Sequence, residues 1–125
     1  MDDLWLEDAF VVRYDASEGG QSGLASHVDD SELSFNLLLS EAASFEGGGT
    51  AFEAASNVTL KPQQGTMLSH FGRLQHAGQP VTSGVRYILA GFVRCRPMAA
   101  EWRALRRVEL DEVEQEEVEE GDEER

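Results

Sequence analysis

The sequence is short of cysteine, of basic residues and of long apolar runs. Its 125 residues include one cysteine, so no internal disulfide can form and no oxidising compartment is indicated. No apolar stretch approaches the roughly 20 residues that a membrane-spanning helix requires. The start, Met1-Asp2-Asp3, also lacks the positive charge that opens a signal peptide. These absences predict an intracellular, cytoplasmic protein that does not enter a membrane.

Basic residues number 10 against 24 acidic ones, and the imbalance is local. Segment 109–125 contains eleven acidic residues and one basic residue, so it carries −10 of the net charge of −14. We expect a C-terminal helix over 98–108 and then an acidic tail that is disordered or a frayed helix. The basic residues that cluster beside this tail can be compensated by it, and binding of nucleic acid is therefore not expected. They are Arg94, Arg96, Arg103, Arg106 and Arg107.

The remainder, 1–97, is predicted to be one mainly β domain. Short apolar segments at 31–40, 51–53, 66–71 and 85–93 predict strands, and glycine or proline separates them. The run Gly47-Gly48-Gly49 predicts a turn with positive φ rather than a phosphate cradle, because no helix with a Lys-Ser/Thr pair follows it. Short strands separated by glycine-containing turns are typical of an all-β sandwich or barrel.

His27 and Asp29 form a candidate pair of metal ligands. In a strand, side chains two residues apart point to the same face, so one strand end could present both to one ion. Two histidines and one carboxylate form the set that binds non-heme Fe(II) on one face and leaves the other open. His76 is a candidate third ligand. The H-x-D tripeptide alone is a weak motif, since single histidines are more often structural.

Arg86 lies ten residues beyond His76, in the strand predicted at 85–93. Strand alternation gives Ile88, Ala90 and Phe92 the same face as Arg86, so an inward guanidinium would lie at the mouth of an apolar pocket. A buried unpaired guanidinium is unfavourable, and an anionic ligand would remove that penalty. Two alternatives stay open: Arg86 pairs with an internal carboxylate such as Glu53, or it points to solvent.

Four segments, taken in order, resemble one known family. They are F-V-V-R-Y at 10–14, H-V-D-D-S-E-L-S-F-N-L-L-L-S at 27–40, F-E-G-G-G-T-A-F at 45–52, and G-R-L-Q-H-A-G-Q-P-V-T-S-G-V-R-Y-I-L-A-G-F-V at 72–93. The family is that of the 2-oxoglutarate- and Fe(II)-dependent dioxygenases, in the branch of the prolyl 4-hydroxylases and lysyl hydroxylases. The resemblance implies a double-stranded β-helix, a jelly-roll, cupin-like core. Only nine residues precede Phe10, which indicates a minimal or N-terminally truncated core. We expect its open sheet edge to be covered by self-association or by a missing N-terminal region.

The resemblance also implies roles for individual residues. The implied iron ligands are His27, Asp29 and His76. Arg86 would hold the distal carboxylate of 2-oxoglutarate, since its planar fork can form two parallel hydrogen bonds to a carboxylate. Tyr14 would donate its hydroxyl to the co-substrate, and Asn36 would be a further contact.

Two residues carry competing interpretations. His70 precedes His76 by six residues and could be taken for the third ligand, but the match to G-R-L-Q-H assigns that role to His76 and leaves His70 as a structural or neighbouring residue. Cys95 lies between two arginines and could be a reactive thiol, although a small apolar filler near a strand end is the favoured interpretation.

The implied cofactors are Fe(II), 2-oxoglutarate as co-substrate, dioxygen and ascorbate. The implied reaction hydroxylates an unactivated C–H bond, of a prolyl or else a lysyl side chain in a protein or peptide, and releases succinate and carbon dioxide. Metal and co-substrate would supply this chemistry, so no side chain need act as a nucleophile. The alternative function is a non-catalytic jelly-roll module that binds a metal or a small carboxylate, or an inactive fragment of a larger oxygenase. No substrate-specific motif is found in the loops around 15–26 and 41–50.

Overall fold

A computed structural model describes residues 4–95, and within them nine strands form two facing sheets. The strands are β1 (Leu4–Asp15), β2 (Leu24–His27), β3 (Leu33–Leu38), β4 (Phe45–Gly47), β5 (Thr50–Phe52), β6 (Thr59–Leu60), β7 (Met67–Phe71), β8 (His76–Gly78) and β9 (Val81–Cys95). Two short 3₁₀ turns cover Ala42–Ser44 and Glu53–Ala55. The predicted mainly β, jelly-roll fold is confirmed. The boundary at 97, the predicted helix at 98–108 and the acidic tail at 109–125 lie outside the described residues.

The larger sheet has the order β1-β9-β3-β7, with β4 also pairing with β9, and the smaller sheet has the order β2-β8-β5-β6. Within the larger sheet, β3 is antiparallel to both of its neighbours, so that Ser34 lies opposite Phe92 on one side and His70 on the other. The chain passes from β4 in the larger sheet to β5 in the smaller one through Gly47, Gly48 and Gly49. All three glycines have positive φ, between 70° and 94°, as predicted for this turn.

Along β9, successive side chains point alternately into the space between the two sheets and toward the outer face. Arg86 and Ile88 are buried whereas Tyr87 between them is exposed, which agrees with the predicted alternation. The buried apolar cluster between the sheets consists of Tyr14, Leu38, Val81 and Ile88. This apolar cluster is small, and buried polar residues such as Ser34, His76 and Arg86 lie in the same interior.

The outer face of the larger sheet has one close contact that sequence inspection does not suggest. Phe35 and Gly91 face each other across β3 and β9, and the Phe35 ring covers the position where a side chain on Gly91 would lie. Glycine at this point lets the ring pack on the backbone of β9.

β1 is an edge strand of the larger sheet, and its first eight residues, Leu4 to Val11, are exposed. Self-association through such an edge stays a prediction. No helix within residues 4–95 is long and apolar enough to span a membrane.

Candidate metal centre and adjoining pocket

His27 and His76 lie opposite each other in the smaller sheet. His27 is the last residue of β2 and His76 is the first of β8, and the two are direct partners in this antiparallel pair. β2 ends at His27, so strand alternation does not extend to Asp29 as the sequence had suggested. The backbone N–H of Asp29 instead donates to the carbonyl of Gly72, 2.7 Å away, in the turn between β7 and β8.

The side chains of His27, Asp29 and His76 converge. Nε2 of His27 is 3.4 Å from Oδ1 of Asp29, and Nε2 of His76 is 3.4 Å from Oδ2 of the same carboxylate. One ligand atom from each of the three residues lies within 4.8 Å of the other two. Two ligands at about 2.1 Å from one ion, on adjacent corners of an octahedron, would be about 3 Å apart, so this donor set fits a bound metal ion.

Backbone carbonyl groups orient both imidazoles. Nδ1 of His27 is 2.7 Å from the carbonyl oxygen of Ala25, and Nδ1 of His76 is 2.7 Å from that of Leu74. Because a carbonyl oxygen can only accept, Nδ1 is the donor in each of these bonds, and in a neutral imidazole this tautomer leaves the lone pair on Nε2, the nitrogen that faces Asp29. The side chain of His76 is 8% exposed and that of Asp29 is 11% exposed. The side chain of His27 is 32% exposed, so the centre is shielded from water on the side of His76 and Asp29 and accessible at His27.

Ser34 and Ser31 form a hydrogen-bonded chain to Asp29. The sequence did not single them out as functional residues. The hydroxyl of Ser34 donates to Oδ2 of Asp29 over 2.7 Å, and the hydroxyl of Ser31 is 2.8 Å from that of Ser34. The available sequence signal was that Ser34, like Asn36, is a polar residue that alternates with apolar ones along β3.

His70 lies beside the centre and outside the convergent group. Its ring centroid is 4.4 Å from that of His76, and Phe52 packs edge-on against it at 5.0 Å. Its Nδ1 is 2.8 Å from the carbonyl oxygen of Phe71, and burial lowers the pKa of the imidazole. Within residues 4–95, the convergent group contains His27, Asp29 and His76 but not His70.

A cavity of about 100 Å³ adjoins the three convergent residues, between the two sheets. This volume is well below the roughly 300–1,000 Å³ of sites for drug-sized ligands, so it suits a small molecule. The cavity is lined by all six residues selected from the sequence, which are Tyr14, His27, Asp29, Asn36, His76 and Arg86. The predicted companions of Arg86 on β9, namely Ile88, Ala90 and Phe92, line it as well.

Arg86 is a buried cation at this cavity, since the residue is only 3% exposed. Its guanidinium carbon is 5.3 Å from the centroid of the Tyr14 ring, and burial lowers its pKa. Among the described residues no carboxylate pairs with this guanidinium, and Glu53 is exposed in a 3₁₀ turn. Neither alternative considered for Arg86, an internal ion pair or a solvent-facing position, is therefore found.

Tyr14 and Asn36 supply polar groups near Arg86. Tyr14 is 4% exposed, and burial raises the pKa of its phenol, so the hydroxyl remains a donor at neutral pH. Nδ2 of Asn36 donates to Oγ1 of Thr50 over 3.4 Å, and Thr50 also lines the cavity. Thr50 is a third polar residue that the sequence did not single out, although it directly follows the glycine turn.

Comparisons with known proteins agree on one group of enzymes. Procollagen-lysine,2-oxoglutarate 5-dioxygenase 1 of Bos taurus is 41% identical to this chain over 88 residues. The human multifunctional procollagen lysine hydroxylase and glycosyltransferase LH3 is 41% identical over 87 residues. These matches cover 68% and 67% of this chain, but each covers only 12% of the relative. No known protein family has a sequence profile that matches the chain.

Solved structures extend the agreement to the fold. The viral collagen prolyl hydroxylase of Paramecium Bursaria Chlorella virus-1 is 25% identical with a TM-score of 0.58, over 76% of this chain and 58% of that one. The resemblance to the 2-oxoglutarate- and Fe(II)-dependent oxygenases is confirmed. A 2OG-Fe(II) oxygenase-family protein from Burkholderia pseudomallei shares the fold, with a TM-score of 0.61 and 20% identity over 73% of this chain and 45% of that one. The present chain thus corresponds to a small part of the long lysyl hydroxylases and to about half of the bacterial and viral chains in these solved structures.

Proposed function

We propose that this chain is the core of an Fe(II)- and 2-oxoglutarate-dependent dioxygenase that hydroxylates an unactivated C–H bond. His27, Asp29 and His76 would bind the iron, and Arg86 would hold the distal carboxylate of 2-oxoglutarate. One observation carries the proposal: a buried guanidinium without a carboxylate partner among the described residues lines the same cavity as a convergent group of two imidazoles and a carboxylate. A dicarboxylate that reaches from the metal to Arg86 would satisfy both groups.

The metal centre, once loaded with 2-oxoglutarate and dioxygen, would supply the oxidising power, with succinate and carbon dioxide as by-products. The protein's residues would bind and orient the co-substrate. Arg86 would form two parallel charge-assisted hydrogen bonds with a carboxylate. The protonated hydroxyl of Tyr14 would donate to the same ligand, while Asn36 and Thr50 provide further polar contacts on the cavity wall. Val12, Ile88 and Ala90 would keep water from the rest of the cavity.

The target of hydroxylation is proposed from the relatives. The names of the curated relatives specify procollagen lysine, and the viral neighbour is a collagen prolyl hydroxylase. We therefore infer a prolyl, or else a lysyl, side chain in a protein or peptide as the substrate. Fe(II) and 2-oxoglutarate are the proposed cofactors, together with dioxygen and, as for the family, ascorbate.

Anaerobic titration of the full chain with Fe(II) and 2-oxoglutarate tests the site. We expect a metal-to-ligand charge-transfer band in the visible region for the wild type and its loss in His76→Ala. His70→Ala is the matched control, because it removes an imidazole from the same cavity without removing a proposed ligand, and it should keep the band. A missing band in the wild type, or a persistent band in His76→Ala, would contradict the assignment.

Turnover requires a separate measurement. Oxygen is admitted to the loaded protein in the presence of proline-containing and lysine-containing collagen-like peptides, and succinate and the peptide masses are then recorded. The proposal predicts succinate and a mass increase of one oxygen atom on one class of peptide. A charge-transfer band without any succinate would instead identify a non-catalytic module that binds metal and carboxylate.

A further inference from the structure

Two buried serines form a directed chain of hydrogen bonds to Asp29. Ser31 and Ser34 are each 3% exposed. The Ser34 hydroxyl has one proton, which it donates to Oδ2 of Asp29 over 2.7 Å. Between the two serines, which are 2.8 Å apart, Ser34 must therefore accept and Ser31 must donate. The order is Ser31 to Ser34 to Asp29, and each bond polarises the next.

This chain distinguishes the two oxygens of the carboxylate. Oδ1 lies 3.4 Å from Nε2 of His27, and Oδ2 lies 3.4 Å from Nε2 of His76, so position relative to the histidines does not decide between one-oxygen and two-oxygen binding of an ion. The hydrogen bond from Ser34 makes the two oxygens unequal, because it takes up one lone pair of Oδ2 and leaves Oδ1 as the more available ligand atom.

Ser31 and the segment around it are held by the turn that leads to His76. The backbone N–H of Asp29 donates to the carbonyl of Gly72 over 2.7 Å, and the N–H of Gly72 donates to the carbonyl of Glu32 over 3.1 Å. Gly72 packs directly on Ser31, since a Cβ at that position would overlap the Ser31 carbonyl and lie 2.7 Å from its hydroxyl. Segment 29–32 is thus clamped at three points to the turn between β7 and β8.

We propose that Ser34, supported by Ser31, is a positioning residue that restricts Asp29 to one-oxygen coordination of the metal. This inference rests on the proposed function, because it takes His27, Asp29 and His76 as the ligands. Three donor atoms on one face leave three positions for the co-substrate and dioxygen, whereas a second oxygen from Asp29 would occupy one of them. Loss of the serine bond should therefore change both the affinity of the site and its coordination.

The first test measures Co(II) affinity and the Co(II) visible spectrum, which require neither co-substrate nor turnover. Removal of a hydrogen bond to a metal ligand typically weakens metal binding about ten- to hundredfold, and we expect this for Ser34→Ala, together with an altered spectrum. Ser34→Thr retains the hydroxyl and should restore both. Ser69→Ala is the matched control, because Ser69 is exposed on the neighbouring strand β7, and it should bind as the wild type does.

Ser31→Ala keeps the test decisive if Ser34→Ala fails to fold. It removes only the supporting donor, and we expect a smaller loss of Co(II) affinity, of roughly two- to fivefold. Wild-type affinity and spectrum in the folded serine variants would overturn the inference, as would a Ser34→Thr variant that binds no better than Ser34→Ala.

The two proposals fail in different ways. A wild-type protein that binds Co(II) but gives no charge-transfer band with Fe(II) and 2-oxoglutarate would refute the proposed function and leave the serine effect on metal binding intact. A normal band in the wild type with unchanged metal binding in Ser34→Ala would refute the positioning role alone.

Discussion

Arg86 should have opposite effects on stability and on co-substrate binding, and the variant Arg86→Leu separates them. Replacing a buried ion pair with apolar side chains of similar volume is often neutral or stabilises a protein by about 1–4 kcal/mol, and a buried guanidinium without a carboxylate partner lacks even the attraction of such a pair. The Tyr14 ring, 5.3 Å from the guanidinium carbon, already compensates part of that penalty, so we expect the lower part of this range for the metal-free protein. The pair of charge-assisted bonds to a carboxylate contributes at least about 3 kcal/mol, and its loss should weaken 2-oxoglutarate binding roughly a hundredfold.

Two assays on the same samples measure these effects. Urea denaturation of the metal-free protein gives the free energy of unfolding, and calorimetric titration of the Co(II)-loaded protein gives the dissociation constant of 2-oxoglutarate. Arg13→Leu is the control, because Arg13 is an exposed arginine whose ion pair with Asp15, at 2.8 Å, is screened by solvent. The reasoning is refuted if Arg86→Leu is less stable than the wild type, or if it binds 2-oxoglutarate within about threefold of the wild type.

Two glycines provide further predictions. Gly48→Ala would place a Cβ 2.9 Å from Cδ of Arg86, at a φ of +70°, and should weaken 2-oxoglutarate binding roughly tenfold without changing Co(II) affinity. Gly65→Ala carries the same backbone strain at a φ of +78°, but its added Cβ would have no heavy atom within 4 Å. This variant should therefore lose stability and keep its affinity for 2-oxoglutarate. An equal loss of 2-oxoglutarate affinity in both variants would contradict this prediction. Gly91→Ala would press a methyl group into the Phe35 ring and should lower the free energy of unfolding by about 1–3 kcal/mol, as measured in urea. A second substitution, Phe35→Leu, should recover part of that loss.

The pattern of β9 shows how far sequence reasoning reaches. Alternation alone placed Arg86, Ile88, Ala90 and Phe92 on one face, and all four line the cavity. The predicted strand covered only 85–93 because the preceding Thr82-Ser83-Gly84 is polar, yet β9 begins at Val81, where pairing with β4 supplies hydrogen bonds that no local propensity reveals.

The contacts around Asp29 show where sequence reasoning ends. Family resemblance selected Asp29, but strand alternation did not place it, because β2 stops at His27. Its position depends on Gly72 and Ser34, which are 43 and 5 residues away along the chain and are brought together only by the pairing of β3 with β7. Serine is common in strands for many reasons, so no local pattern distinguishes one that supports a ligand. The ligand roles themselves stay predictions.

The candidate site draws on both sheets, so metal binding should be coupled to folding. His27 and His76 come from the smaller sheet, Arg86 from the larger, and Asp29 is tied through Ser34 to the larger sheet while it faces both histidines. An ion that binds only this folded arrangement stabilises it by RT ln(1 + [metal]/Kd), which is about 2.7 kcal/mol at a hundredfold excess over Kd.

Thermal unfolding of the full chain with and without Co(II) measures this coupling, and Asp29→Ala is the decisive variant. It should abolish the rise in Tm that the metal produces in the wild type. Asp30→Ala is the adjacent control: its side chain is 85% exposed and pairs only with arginines at the surface, so the metal-induced rise should persist. If Asp29→Ala keeps the full rise, the ion binds elsewhere, and the convergence of the three side chains does not mark the metal site.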